Sequence, residues 1–247
     1  MSSNYQPRHQ IWAVLPAAGI GRRMQSAVPK QYLGLNGRPV LEHTINTLLR
    51  SPFICGLVIA LQAEDPYWAD IRIDSQKPVI RAPGGAERAD SVLNALDALL
   101  AGEDSDAGKD WVMVHDAVRP CLRQSDIEKL VQEVRDSPAG GLLALPVRDT
   151  MKRQQAGDVQ VVASTVEREL LWHALTPQYF PARALKSALQ SALQQKRAVT
   201  DESSAMEMAG YSPRLVSGFE DNIKITRPDD LRLASLYLQS QLSEDER

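Results

Sequence analysis

The chain has 247 residues, 43% apolar and 24% charged, which is enough for a full core in one α/β domain, with or without a small appendage. A formal net charge of −3 supplies no basic field and argues against broad nucleic-acid binding. The two cysteines, Cys55 and Cys121, form no CxxC pair and no metal-ligand pattern with the four histidines, so free thiols in a reducing compartment are expected.

The opening MSSNYQPRHQ is polar and has no apolar core of a secretory signal. No apolar run approaches the roughly 20 residues of a membrane span. The expectation is a cytoplasmic protein with a flexible stretch over residues 1–10. Ile11 to Pro16 reads as a short buried strand, followed at once by AAGIGRRM. Pro39 to Arg50 has helical spacing, with Leu41, Ile45, Leu48 and Leu49 on one face. Gly56–Leu61 and Pro78–Ala82 are further strands, the latter ending in Pro83-Gly84-Gly85. The next helix aligns Ala89, Val92, Leu96 and Leu99 and stops at Gly102. Trp111–His115 is a fourth strand, Ser125 and Glu128 read as a capping box for a helix, and Gly141–Leu145 is a fifth strand. Strands that are apolar throughout, alternating with helices, predict a mostly parallel sheet covered on both faces.

Residues 147–168 break that rhythm. VRDTMKRQQ and VQVVASTV flank Ala156-Gly157-Asp158 and predict a β-hairpin arm. Such a polar arm is marginal alone, and a second subunit is the expected cover. Pro181–Leu193 then reads as a helix, Thr200 as the cap of a short helix through Ala209, Asn222–Thr226 (NIKIT) as a last strand, and Pro228 to about Leu238 as the final helix. Residues 11–240 form a single predicted domain including the arm, and 241–247 a flexible end.

Three segments carry chemistry. Leu15–Lys30, LPAAGIGRRMQSAVPK, follows a strand with small residues and then cations. Ala17, Ala18, Gly19 and Gly21 leave main-chain amides open to phosphate, and Arg23 and Lys30 add charge. It is no dinucleotide fingerprint, because Met24 stands near the third small position and Pro29 interrupts the helix. It is no P-loop either, because GK[ST] is missing. The second segment is GGAERADSV, where Gly84 and Gly85 would let a planar base lie on main chain and Ser91 offers a hydroxyl. The third is HDAVRP, which sets Asp116 just past a strand's carboxyl end, where it could hold a metal or accept from a sugar hydroxyl. Arg119 could grip phosphate with its fork. His115 reads as structural. In NIKIT, alternation sets Lys224 opposite Ile223 and Ile225. Arg148, Lys152 and Arg168 read, by default, as solvated arm charges.

In their order, PAAGIGRRM, PKQYL, GGAERADSV, VHDAVRPC, PVRDTMKR, LWHALTPQ, TDESSAME and DNIKITRPDDL resemble the 2-C-methyl-D-erythritol 4-phosphate cytidylyltransferases of the non-mevalonate isoprenoid pathway. The likeness spans about residues 11–238. Ala86 is a departure, since some members carry Asp there. The resemblance implies a Rossmann-like nucleotidyltransferase fold with a protruding β-arm that interlocks a homodimer. It implies transfer of CMP from CTP to 2-C-methyl-D-erythritol 4-phosphate, with release of pyrophosphate and a Mg2+ ion on the triphosphate. Ala17, Ala18, Gly19, Gly21, Gly85, Ala86, Ser91 and Asp116 would surround the nucleotide. Arg23 and Lys30 would stabilise the transition state, with Arg168 and Lys224 beside them in the catalytic set. Asp116, Arg119, Thr150, Arg168, Thr176 and Lys224 would bind the polyol phosphate, Thr150 and Arg168 from the partner's arm, and Asp116 is the candidate metal ligand. A nucleotidyltransferase for another polyol or sugar phosphate is the alternative enzyme, and a non-catalytic nucleotide-binding regulator the alternative class.

Overall fold

A computed structural model describes residues 7, 9–19, 28–101, 111–157 and 159–245. In chain order these contain β1 (Ile11–Pro16), β2 (Gly34–Leu35), β3 (Arg38–Pro39), α1 (Val40–Arg50), β4 (Ile54–Leu61), β5 (Val79–Pro83), α2 (Arg88–Leu100), β6 (Trp111–Val114), α3 (Gln124–Val134), β7 (Gly141–Pro146), β8 (Met151–Gln154), β9 (Val162–Val166), β10 (Trp172–Pro181), α4 (Ala182–Gln194), α5 (Glu202–Met208), β11 (Arg214–Ser217) and α6 (Pro228–Asp245).

The central sheet has the order β11-β7-β10-β6-β1-β4-β5. Pairing is parallel at β1–β4, β1–β6, β4–β5 and β7–β11, while β10 runs antiparallel to both β6 and β7. Successive side chains leave opposite faces of a strand, and the core divides accordingly. Ile11, Ala13 and Leu15 of β1 join Leu57, Ile59 and Leu61 of β4 under α1 and α3. Val14 of β1 and Val58 and Ala60 of β4 face the other way, toward α2, α4 and α5. Strands with both faces covered have no polar face to display, so their sequences are continuously apolar. A smaller cluster of Leu35, Val40, Val118, Cys121, Ile225 and Ala234 seats α6 on the domain.

The parallel strands and the helices up to α5 agree with the sequence to within about two residues, whereas the hairpin's paired strands, Met151–Gln154 and Val162–Val166, are shorter than the stretches 147–155 and 159–166 read from the sequence. Several details differ. β10 and β11 were not expected, and NIKIT is not a sheet strand. Among the described residues it pairs with no strand: Asn222 and Ile223 N–H donate to the nearby Phe219 and Asp221 carbonyls, and Ile225 N–H donates to the Val118 carbonyl in the loop after β6. α3 begins at Gln124, and its preceding residue, Arg123, makes no side-chain cap in place of the Ser125–Glu128 box. Asp201, not Thr200, caps α5, accepting from Ser204 N–H. α6 continues to Asp245, and Gln241 and Glu244 bond Cys121, Asp221 and Arg123, so residues 241–245 are structured rather than a loose tail. His9, expected in a flexible start, stacks on Trp111 at 4.9 Å. Gly102 and Asp158 lie outside the described residues.

The hairpin β8–β9 forms its own two-stranded antiparallel ladder, pairing Met151 with Val166 and Lys152 with Thr165. Every residue of β8 is exposed.

Candidate active site

The strand order reverses between β1 and β6, and β1 sits with β4 on its other side. Loops leaving the carboxyl ends of neighbouring strands diverge at such a switch point and open a crevice. Here the ends of β1, β4, β5 and β6 enclose a cleft of about 590 Å³. Ala17, Ala18, Gly19, Lys30, Gly85, Ala86, Ser91, Asp116 and Lys224 line it. Most of the residues that the sequence assigned to the nucleotide thus line one cleft. Gly21 and Arg23 lie outside the described residues.

The glycines divide the labour. A Cβ on Gly19 would meet nothing within 4 Å, so this loop presents open main chain to the cleft. A Cβ on Gly84 would come within 2.2 Å of Ala18 Cβ, and one on Gly85 within 2.2 Å of Asp90 Cβ. Gly84 is therefore required first for the fit of the β5–α2 turn against the β1 loop, and Gly85 for the fit of that turn against the start of α2, not simply for a base to approach. The turn is fixed by Gly85 N–H donating to Ser91 Oγ at 3.0 Å and Glu87 N–H donating to Asp90 at 2.9 Å. Gln31 and Gln62 were missed. Each donates through Nε2, to the Ala17 carbonyl at 2.8 Å and the Ala18 carbonyl at 3.0 Å respectively, and so braces the β1 loop from both sides.

Asp116 is the centre of charge. Its carboxylate receives Arg88 Nε on Oδ1 at 3.1 Å, Lys224 Nζ on Oδ2 at 2.9 Å and Arg119 Nε on Oδ2 at 3.3 Å. Burial alone would raise its pKa, but attraction from Arg88, then Lys224 and Arg119, overcomes this and holds the carboxyl well below the usual range. Arg119 is itself buried, and its Nη1 donates to the Asn222 carbonyl at 2.6 Å. Its guanidinium ties the loop before Lys224 to Asp116 rather than standing open as a phosphate fork.

A chain of hydrogen bonds fixes the backbone beneath. His115 Nε2 lies 3.0 Å from the Arg119 carbonyl, which can only accept, so Nε2 carries the proton. Nδ1 is then an acceptor, and the Thr176 hydroxyl 2.9 Å away donates to it. Thr176 Oγ1 in turn accepts Asp116 N–H at 3.1 Å. Burial lowers the His115 pKa to about 4, which keeps this neutral tautomer at neutral pH. With its proton committed to His115, Thr176 can only accept from a ligand hydroxyl. His115 is thus held inside the fold, and Thr176 stands beside Asp116.

Thr150 and Arg168 are exposed on and beside the hairpin and do not line the cleft. Arg168 donates to the Arg148 carbonyl, and Arg148 pairs with Glu220. Arg88 and Glu202 are two further site residues that sequence reasoning did not use. Glu202, fully buried at the start of α5, takes both terminal nitrogens of Arg88 at 2.6 and 3.1 Å. Both sit in first helical turns, where charge is common, and nothing local marks them as partners.

A model of the 2-C-methyl-D-erythritol 4-phosphate cytidylyltransferase family matches residues 11–240. The chain is 52% identical over 234 residues to the enzyme of that name from Aliivibrio fischeri (strain MJ11), covering 95% of this chain and 96% of that one. It is 54% identical over 221 residues to the Pseudomonas entomophila (strain L48) protein of the same name, covering 90% and 92%. Among solved structures, the Francisella tularensis 2-C-methyl-D-erythritol 4-phosphate cytidylyltransferase superposes with a TM-score of 0.77 at 32% identity, covering 92% of this chain and 99% of that one. With strand order, cleft and sequence in agreement, this chain belongs to the 2-C-methyl-D-erythritol 4-phosphate cytidylyltransferase family.

Proposed function

We propose that this protein transfers the cytidylyl group of CTP to the phosphate of 2-C-methyl-D-erythritol 4-phosphate, releasing pyrophosphate, in isoprenoid precursor biosynthesis. The observation that carries the reading is the cleft itself, where open main chain from the β1 loop faces Lys30 and Lys224 across a switch point. An oxygen of the acceptor's phosphate attacks the α-phosphorus. A new P–O bond forms there, the bond to the bridging oxygen breaks, and pyrophosphate leaves with that electron pair. The attacking oxygen is already anionic at neutral pH, so no protein base is required. The barrier is repulsion between anions, and catalysis is positioning plus positive charge aimed at the transition state.

In this reading Ala17, Ala18, Gly19, Gly21, Gly85, Ala86 and Ser91 hold the nucleoside, and Lys30 with Arg23 meets the growing charge. Asp116 and Thr176 accept from acceptor hydroxyls, and Lys224 holds the acceptor phosphate. Arg119 acts from beneath by fixing Asp116. Among the described residues no group of three His, Cys, Asp or Glu side chains is placed to hold a metal. Asp116, the cleft's expected metal ligand, has three cations on its carboxylate. These donors do not fit a resident ion; a Mg2+ ion would come with the triphosphate, as part of the substrate, and would supply charge neutralisation there. Thr150 and Arg168 complete the acceptor site from the hairpin of a second copy in a homodimer. Among the described residues, no helix is long and apolar enough to cross a membrane, and a cytoplasmic location is part of the proposal.

The test is incubation with CTP, Mg2+ and 2-C-methyl-D-erythritol 4-phosphate, with UTP and ATP as nucleotide controls and ribitol 5-phosphate as the acceptor control. Pyrophosphate release that requires CTP and the methylerythritol phosphate supports the reading. Faster release with another acceptor, or triphosphate binding without release, overturns it.

A further inference from the structure

Arg88, part-buried, and Glu202, fully buried, form an ion pair that touches the cleft at the Arg88 end only. Glu202 is 0% exposed and accepts from Arg88 Nη1 at 2.6 Å and Nη2 at 3.1 Å. This two-pronged contact leaves Nε as the group facing Asp116, 3.1 Å from Oδ1. The opposite oxygen, Oδ2, is thereby left to Lys224 and Arg119. Glu202 is in turn held by its helix. Asp201 Oδ2 accepts Gln178 Nε2 at 2.8 Å and Ser203 N–H donates to Gln178 Oε1 at 2.7 Å, which docks α5 on β10. β10 also carries Thr176, the acceptor of Asp116 N–H.

We infer that Glu202, acting through Arg88, is a positioning residue for the acceptor side of the reaction: it orients Asp116 so that Lys224 stands where the acceptor phosphate is received. The inference deepens the function proposed above and rests on it. A guanidinium shared between two carboxylates is held in one orientation by geometry as well as by charge. Without Glu202, the fork of Arg88 is released. It can then turn both terminal nitrogens onto Asp116 and compete with Lys224 for Oδ2. A lost negative charge also leaves the cleft more positive, which favours a triphosphate in the ground state. Acceptor use and nucleotide binding should therefore move apart.

The experiment compares steady-state kinetics of pyrophosphate release for wild type and Glu202→Gln, with thermal melting of each. The expected result for Glu202→Gln is a fall of about tenfold or more in kcat/KM for the acceptor, the scale of a lost supporting contact. KM for CTP stays unchanged or decreases, and Glu202→Asp recovers part of the loss. Val131→Ala is the structural control. Val131 is buried in α3, in the core cluster that does not include α5, so the substitution should lower the melting temperature while leaving acceptor kcat/KM within about threefold of wild type. Wild-type acceptor kinetics in Glu202→Gln overturn the inference, and so does Val131→Ala reproducing the same split. If Glu202→Gln does not fold, Arg88→Lys decides: a single ammonium cannot serve both carboxylates in this geometry, so the same split is expected, and wild-type kinetics overturn the idea. Wild-type protein that releases no pyrophosphate overturns the proposed function itself. An active wild type with an unaffected Glu202 variant overturns only the positioning role.

Discussion

The cations around Asp116 and the cations of the hairpin are the same residue types in opposite situations. Arg88 and Arg119 are each bonded to two acceptors within the fold. Lys152 donates to Thr165 across its own ladder, and Arg168 donates to the backbone of Arg148, all on exposed chain. The hairpin region also leaves apolar side chains in solvent, with Val159 70%, Val162 61% and Leu170 89% exposed. Pre-organised charge can act at once, because no side-chain order has to be created on binding. Exposed charge on a ladder that small must be fixed by another surface first. One part of the proposed acceptor site is thus finished within a single chain, and the other is not.

The largest effect should come from breaking the finished part. Asp116→Asn removes the one anion shared by three cations and leaves Arg119 buried without a charge partner. Denaturant unfolding should show a loss of about 3 kcal/mol, and kcat/KM for the acceptor should fall roughly 10³-fold. The pH dependence has a defined sign. The folded pKa of Asp116 lies below its unfolded value, so its contribution is present above the unfolded value and is lost only as strong acid protonates the folded carboxylate. A wild-type-minus-variant stability difference that already disappeared between pH 8 and pH 6 would contradict this assignment.

Breaking the unfinished part should leave the fold alone. Arg168 is exposed, so Arg168→Ala should change stability by less than about 0.5 kcal/mol while lowering activity about 10²-fold. Mixing it with Lys30→Ala sharpens the comparison. If each site uses its own Lys30 and the partner's Arg168, subunit exchange rebuilds one intact site in every mixed dimer. A statistical mixture should then recover about a quarter of wild-type activity. Demonstrated exchange with no recovered pyrophosphate release would place Arg168 in its own subunit's site, or in none.

The same contrast explains what the sequence revealed. β1, β4 and β6 were legible because burial on both faces demands apolar residues throughout, and Asp116 was legible because it follows β6 directly. Lys224 was placed in the correct direction for an incomplete reason: NIKIT alternates like a strand, yet Ile225 is anchored to a loop carbonyl rather than to a sheet ladder. β10 was hidden because LWHALTPQYFP contains polar residues that serve the site from inside the sheet. Thr176 bonds His115 and Asp116, and Gln178 docks α5. Such residues break the apolar pattern by which a buried strand is recognised. Glu202 was hidden for a different reason. Its partner is 114 positions away, and only the packing of α5 brings the two together.

Asp126 carries the argument to a third kind of environment, burial without a cation close enough to dominate. It is 0% exposed, it accepts only weakly from Phe219 N–H at 3.4 Å, and its Oδ1 has no hydrogen-bond partner among the described residues. Burial raises its pKa to about 6, with Asp221 adding repulsion, against the opposing pull of the Phe219 amide, Lys129 and Arg123. Here the sign is the reverse of that for Asp116. Between the unfolded value near 3.8 and about 6, the folded state holds a proton that the unfolded state has released. Stability therefore falls as pH rises through that window, and the penalty is complete above it. Asp126→Asn keeps an acceptor for the Phe219 amide and removes the ionisation. It should stabilise the protein by about 1–3 kcal/mol at pH 8, and the gain should shrink as pH falls to 4. A gain of the same size at both pH values would mean that packing, not charge, had changed. A loss at pH 8 would mean that the ionised Asp126 contributes attraction to Lys129 or Arg123 strong enough to outweigh its desolvation. Asp126 would then belong with Asp116 rather than opposite it.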